Sequence, residues 1–244
     1  MRHFSPRPLL IAVMVLVAGC ASTSGDVYDP FEPVNRSIHE VNKGLDKALL
    51  KPTSAAYGQI LPQEVRTGLY NASENLTLPG MVVNDLLQLQ LQDAVNNTIR
   101  FALNSTVGLL GFFDPATELD LAVRPSDFGE TLHVWGFPEG PYVELPLLGP
   151  SNSRDTVGLV ADILINPVSG WLPANQQWVL LGAEAITLMD DRYTYGATLE
   201  SVLYESADSY TQARLFYTEN RRFELGGSQQ AEDDLYDIYG EAFE

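Results

Sequence analysis

The sequence predicts an all-α protein with one Gly/Pro-rich hairpin and one extended segment. The prediction rests on helical patterns in three regions of the chain. Apolar residues recur at helical spacing near the N-terminus, in the middle and in the last third. The middle segment also alternates Leu and Gln from Leu87 to Gln92, as a strand would. Because the i+4 series continues through Leu91, Val95 and Ile99 to Leu103, the length of the pattern favours a helix.

Three helices are expected in the first half of the chain. Asn35 to Leu50 is the first, and Pro62 opens the second. Met81 to Leu103 is predicted as a single longer helix. The hairpin is expected at Gly108 to Asp114, which contains the longest apolar run outside the N-terminal segment.

Prolines shape the second half of the chain. Tyr142 to Pro150 must be extended, because its prolines prevent a regular helix. Ser151 or Ser153 is the expected cap of a helix from Arg154 to Ile165. From residue 175 to 225 we expect one broken helix or two consecutive helices, with Gly196 or Ser206 as the interruption.

The N-terminus reads as an export signal with a lipid attachment site. Arg2 and Arg7 precede the apolar run Leu9 to Ala18, which is too short to span a bilayer. The following Cys20 lies where a bacterial lipoprotein is cleaved and acylated; the alternative is an ordinary signal peptide with an incidental cysteine. The predicted organisation is a signal at 1–19, a lipidated tether at 20–28, one domain at 29–225 and an acidic tail at 226–244.

Composition excludes several classes of function. The net charge is −18, and removal of the signal takes two arginines and no acidic residue, which leaves −20. Such a chain does not bind nucleic acid through a general basic surface. A single cysteine excludes an internal disulfide framework and multi-cysteine metal sites.

Catalytic signatures are scarce. His39 begins a pattern like that of zinc proteases, but Lys43 stands where the second histidine ligand must be. The carboxylate pairs Asp190–Asp191 and Asp233–Asp234 are adjacent residues, which point apart on a helix. We therefore expect no enzymatic activity, no metal and no cofactor.

From Asp29 onward the chain resembles the MlaA/VacJ family of outer-membrane lipoproteins. The motifs that carry the resemblance are Asp29-Pro30-Phe31-Glu32-Pro33, Asn35-Arg36, Asn42, Asp46, Lys51-Pro52, Asn75-Leu76, Pro79, Val83-Asn84, Leu87-Gln88, Arg100-Phe101, Asn104-Ser105-Thr106, Gly108, Gly111, Asp114, Ala116, Phe128-Gly129, Thr131-Leu132, Trp135-Gly136, Gly140-Pro141-Tyr142, Leu145-Pro146, Gly149-Pro150-Ser151, Arg154-Asp155, Gly158, Asp208-Ser209-Tyr210, Arg214, Tyr217 and Arg221-Arg222.

The resemblance implies a ring of helices in the inner leaflet of the outer membrane, on the periplasmic side. The implied task is to remove phospholipid that has strayed into the outer leaflet and to pass it to a periplasmic lipid-binding shuttle and an inner-membrane ABC-type complex. A trimeric outer-membrane porin is the implied partner. Two alternatives remain: a non-catalytic scaffold or assembly factor for a porin, and an anchored periplasmic hydrolase.

Two sets of residues are candidate functional sites. The first is the hairpin Gly108, Leu109, Leu110, Gly111, Phe112, Phe113 and Asp114, which would control lipid access; the alternative is a buried turn. The second is a cationic stripe on the first helix, which would contact lipid headgroups; the alternative is a solvated face that includes Glu40. The stripe consists of Arg36, Lys43, Lys47 and Lys51.

Overall fold

Helices dominate the computed structural model, which describes residues 27–227. Their bounds, with the two strands, are α1 Glu32–Leu45, α2 Lys51–Ile60, α3 Gln63–Asn75, α4 Leu78–Leu87, α5 Leu91–Thr106, α6 Pro115–Glu118, α7 Phe128–Val134, β1 Tyr142–Leu145, β2 Gly149–Asn152, α8 Ser153–Ile165, α9 Pro167–Trp171, α10 Trp178–Thr194, α11 Gly196–Glu200 and α12 Ser209–Arg222. The prediction of an all-α fold is confirmed.

The first predicted helix is longer than the sequence suggested. A π-helical turn, Asp46–Leu50, joins α1 to α2 without a break. Pro52 lies just after this turn, and proline has no N–H and clashes with the carbonyl four residues earlier. The wider π turn lets the helix continue through that clash.

The third predicted helix is two helices, so the expectation of one helix from Met81 to Leu103 was wrong. Leu89 adopts a left-handed conformation with φ of 62° between α4 and α5. The amide of Gln90 donates to the carbonyl of Asp85 (2.8 Å), which closes the end of α4. No glycine marks this position, so the sequence carries no signal for the break.

The extended segment forms a two-stranded antiparallel hairpin, as its prolines predicted. Tyr142 pairs with Asn152 and Leu145 with Gly149. Asn152 caps α8, because its side chain accepts from the amide of Asp155 (2.8 Å). The expectation that Ser151 or Ser153 caps this helix was therefore wrong; the amide oxygen of Asn152 is an equally good acceptor.

The C-terminal third is interrupted one residue before the predicted Gly196 and at the predicted Ser206. Tyr195 separates α10 from α11, and Ser206 ends a π-helical segment before α12. α10 packs against α2 and α3, which joins the two halves of the chain. The signal, Cys20 and nearly all of the tether and acidic tail lie outside the described residues.

Burial in residues 27–227 is the reverse of that in a soluble protein. Twenty-one polar or charged side chains are buried, against seven hydrophobic ones, of which three are alanine. Thirty-eight large apolar side chains are exposed. Among the described helices, none combines the length and the apolar character needed to cross a bilayer.

Candidate functional site

The polar interior begins between α4, α5 and α7. The hydroxyl of Thr131 donates to Asn84 Oδ1 (3.0 Å), and Gln88 Nε2 donates to Thr131 Oγ1 (2.9 Å). Asn97 Nδ2 donates to Asp85 Oδ2 (2.8 Å) and to a backbone carbonyl. These side chains form a polar spine where a soluble protein would place leucine and valine.

The spine has spare hydrogen-bonding capacity. Asp85 Oδ1 and Gln88 Oε1 are buried and accept from no donor within the described residues. Burial raises the pKa of the Asp85 carboxyl, against the hydrogen bond that Asn97 donates to its Oδ2. Buried polar atoms are normally satisfied, so these oxygens suit water or the polar part of a ligand.

A second network braces the segment Gly108–Asp114. Arg100 Nη2 donates to Asp114 Oδ2 (2.9 Å), and Asn104 Nδ2 donates to Asp114 Oδ1 (2.8 Å). Burial alone would raise the pKa of Asp114, but hydrogen bonds from Thr117, Asn104 and Arg100 lower it overall. Asp114 therefore remains ionised and also caps α6 through the amide of Thr117.

The Gly108–Asp114 segment itself forms consecutive turns between α5 and α6. Leu109 and Leu110 have φ of 53° and 62°, and their side chains are exposed. Phe112 is turned inward, and its ring lies against Gly68. The segment is thus a braced turn with an apolar tip, and control of lipid access by it stays a prediction.

Its two glycines are required for packing. A Cβ on Gly108 would lie 2.3 Å from the carbonyl oxygen of Phe113, and one on Gly111 would lie 2.5 Å from Asn75 Cβ. Gly111 also has φ of 91°, which other residues rarely adopt. Alanine at either position would disturb the turn itself.

A third network links α1, β1 and α12. His39 Nδ1 lies 3.2 Å from Glu144 Oε1, and His39 Nε2 lies 3.1 Å from Ser209 Oγ. Lys43 Nζ donates to the same Ser209 Oγ (3.1 Å), and the hydroxyl of Tyr142 donates to Glu144. All of these side chains except Lys43 are buried.

The structure divides the cationic stripe. Arg36 and Lys43 line one cavity beside Asp208 and Ser209. Lys51 Nζ instead pairs with Glu200 (2.8 Å) and lies over the ring of Tyr204.

Lys47 is exposed and has no ion-pair partner within residues 27–227. Headgroup contact by the four cations stays a prediction.

Two further ion-pair networks were not anticipated. Arg192 donates to both oxygens of Asp46 (2.7 and 3.1 Å) and reaches Glu200. Arg221 bridges Asp127 and Asp155 (2.7 and 2.9 Å). A helical spacing of polar residues, such as Asn97, Arg100 and Asn104 on α5, is the sequence signal that could have located the buried polar faces.

Groups with metal-binding or catalytic potential are few. Within the described part of the chain, no three His, Cys, Asp or Glu side chains are grouped to hold a metal ion. Of the carboxylate pairs, Asp190 forms an ion pair with Arg66 (3.1 Å), whereas Asp233–Asp234 lies outside the described residues.

Comparison with known proteins gives a consistent match. The family model described as MlaA lipoprotein matches residues 27–224. The intermembrane phospholipid transport system lipoprotein MlaA of Shigella flexneri is 33% identical, over 93% of this chain and 95% of that protein. The protein of the same description from Escherichia coli K12 is 32% identical with the same coverage.

A solved structure agrees with these relatives. It is described as the structural basis for maintenance of bacterial outer membrane lipid asymmetry. It matches with a TM-score of 0.71 and 29% identity, over 81% of this chain and 98% of that chain.

Proposed function

Because the chain belongs to the MlaA lipoprotein family, we propose that it is an outer-membrane lipoprotein that removes mislocalised phospholipid from the outer leaflet. It passes this lipid to a periplasmic lipid-binding carrier, for retrograde transport toward the inner membrane. Cys20 carries its acyl chains, and several chains together anchor a protein stably.

The observation that carries this proposal is the reversed burial. On α5, Leu91, Val95 and Ile99 are exposed, while Asn97 and Arg100 are buried. On α8, the exposed side chains include Ile163 and Leu164, at 66% and 76%. Apolar surface of this extent is unfavourable in water and favourable against acyl chains.

The polar interior supplies the other half of the argument. A phospholipid needs a hydrated path for its headgroup, because an unpaired charge in hydrocarbon costs several kcal/mol. The buried polar side chains Asn84, Asp85 and Gln88 are the groups that we propose the headgroup follows, while the acyl chains stay beside the exposed leucines. We infer a ring of helices in the inner leaflet of the outer membrane, seated beside a trimeric porin.

Surface lipid exposure tests this function. A deletion strain is complemented with the wild-type gene or an empty vector, and a membrane-impermeant amine reagent labels aminophospholipid at the cell surface. We expect more labelled lipid in the deletion and restoration by the wild type, with porin abundance unchanged. Unchanged labelling, or a fall in porin abundance that accounts for the defect, would favour the scaffold or assembly-factor alternative.

One observation favours a hydrolase as a second candidate. Ser209, His39 and Glu144 are connected as in a serine-hydrolase triad, at 3.1 and 3.2 Å. Against it, Lys43 donates to the Ser209 oxygen that would have to attack an ester. We expect a fluorophosphonate probe to leave Ser209 unlabelled; a covalent adduct on Ser209, lost in Ser209→Ala, would establish the hydrolase.

A further inference from the structure

A cavity of about 280 Å³ lies between α1 and the start of α12. Its charged lining consists of two cations, Arg36 and Lys43, and two carboxylates, Glu40 and Asp208. The lining is therefore neutral overall, in a mature protein of net charge −20. The field of such a protein repels anions, whereas a neutral, mixed-charge cavity accepts a zwitterion.

Two of these four groups, Arg36 and Asp208, already have partners within the fold. Arg36 pairs with both oxygens of Asp208 (2.9 Å each) and also with Glu32. Asp208 caps α12 as well, by accepting from the amide of Thr211 (3.1 Å). Arg36 and Asp208 therefore form a fixed wall of the cavity.

Lys43 and Glu40 are the exchangeable pair. One contact of 3.1 Å joins them, and the Glu40 side chain is 68% exposed. Because Glu40 is mostly exposed, water screens its contact with Lys43, so this contact can be exchanged at little cost. A ligand with a cation and an anion offers each of them a replacement.

The buried network holds Lys43 in position for this exchange. His39 bridges two buried side chains: its Nδ1 lies 3.2 Å from Glu144 Oε1, and its Nε2 lies 3.1 Å from Ser209 Oγ. The Ser209 oxygen then accepts from Lys43 Nζ. Lys43 is thereby held at the wall of the cavity, with its other N–H donors available.

We propose that this cavity binds a zwitterionic phosphodiester headgroup of the phosphoethanolamine class, with the phosphate on Lys43 and the primary ammonium on Glu40. The inference rests on the proposed function and names the headgroup that the protein prefers. A trimethylated ammonium has no N–H to donate to Glu40, and an anionic headgroup leaves Glu40 opposite negative charge. Both are expected to bind more weakly.

Binding of soluble headgroups tests this directly. Full-length acylated protein in phosphatidylcholine nanodiscs is titrated by ligand-observed NMR with glycerophosphoethanolamine and, separately, with glycerophosphoglycerol. We expect glycerophosphoethanolamine to bind more tightly, and Lys43→Gln to weaken it about fivefold. Glu40→Gln should remove the preference between the two ligands, and Glu64→Gln, an exposed carboxylate on α3 outside the cavity lining, should change neither.

Repeating the titration in nanodiscs that contain phosphatidylethanolamine identifies the source of the headgroup. If the lipid headgroup reaches the cavity, it competes and lowers the apparent affinity for glycerophosphoethanolamine. Absence of competition, equal binding of the two soluble ligands, or no effect of Lys43→Gln and Glu40→Gln would each overturn the proposal. Because this assay measures binding alone, such a failure alongside normal clearance of surface lipid would leave the proposed function standing.

Discussion

The ion pair between Asp46 and Arg192 shows how single residues hold this reversed fold together. Both side chains are at least nine-tenths buried, and Tyr204 also donates to Asp46 (2.7 Å). The hydrogen bonds that Arg192 donates to Asp46 raise the pKa of Arg192, so the guanidinium stays charged. The pair joins the first helix to α10, which lies 146 residues further along the chain.

Removing one partner of this pair should be costly. We expect Asp46→Ala to lower the free energy of unfolding by about 3–5 kcal/mol, because it leaves a buried arginine charge. Lys51→Gln is the matched control: it breaks the exposed contact with Glu200 and should cost about 1 kcal/mol or less. Urea unfolding of the two variants in the same detergent measures the difference, and equal losses would contradict the assignment of a structural role to Asp46.

Residue spacing predicted which side chains share a face but not which face is inside. On α5, the sequence places Asn97, Arg100 and Asn104 opposite Leu91, Val95 and Ile99. In water the leucine face would be buried, and the structure buries the polar face. The periodicity is identical in both cases, so composition and spacing alone could not predict contact with acyl chains; the resemblance to a family predicted it.

At the scale of elements, the contact between α3 and α10 brings like charges together. Burial raises the pKa of Glu74, and the nearby Asp191 and Glu184 raise it further. A carboxyl whose pKa is raised in the folded state contributes stability in acid, and this contribution is lost as the pH rises through that pKa. The Glu74 carboxyl therefore makes the packing of α3 against α10 less stable at neutral pH than at low pH.

Neutralising Glu74 should remove this pH dependence. We expect Glu74→Gln to increase the free energy of unfolding at pH 7 and to have no such benefit below about pH 4, where the wild-type carboxyl is protonated in both states. Glu64→Gln, on the exposed side of the same helix, is the control and should change little at either pH. Urea unfolding midpoints of the variants and the wild type at the two pH values test this. An equal gain in stability for Glu74→Gln at both pH values would show that charge repulsion is not the cause.

The turn at Gly108–Asp114 can be tested at its apolar tip. Because Cβ atoms on Gly108 and Gly111 would clash with the backbone or with Asn75, variants at Leu109 and Leu110 are the better probe. Asparagine tolerates the left-handed conformation that both leucines adopt, so the double change to Asn should preserve the turn. If the tip controls lipid access, surface aminophospholipid should rise while the thermal unfolding temperature stays the same; normal clearance would reduce this segment to a packing element.

Element boundaries show where sequence reasoning fails for physical reasons. Pro62 and the prolines around the β-hairpin act locally, and the structure follows them. The break at Leu89 instead depends on a hydrogen bond from the amide of Gln90 to the carbonyl of Asp85. It also places Leu89 in the left-handed conformation that glycine usually adopts. The cavity at Lys43 likewise depends on Ser209 and Asp208, which lie more than 160 residues away. Local patterns do not contain such contacts.

For the whole molecule, anchoring through the acyl chains on Cys20 and insertion of the apolar surface into the membrane are two separate proposals. Cys20→Ala should abolish acylation, which the mass of the mature N-terminal peptide will show, and should shift the protein away from the outer-membrane fraction. An acylated N-terminus in the variant, or unchanged cleavage after residue 19 with retention in the outer membrane, would contradict the role of Cys20. The proposed insertion of the exposed apolar surface into the membrane depends on the folded domain and needs its own measurement.

Tryptophan fluorescence provides that measurement. Trp171 and Trp178 are exposed, at 61% and 68%, and Trp135 is the only other tryptophan in the chain. Trp135→Phe removes the third emitter, and the variant is reconstituted with phospholipid that carries brominated acyl chains. We predict strong quenching by the brominated chains and weak quenching by aqueous iodide. Strong quenching by iodide with no effect of the brominated lipid would contradict the claim that the apolar exterior of this protein lies within the membrane.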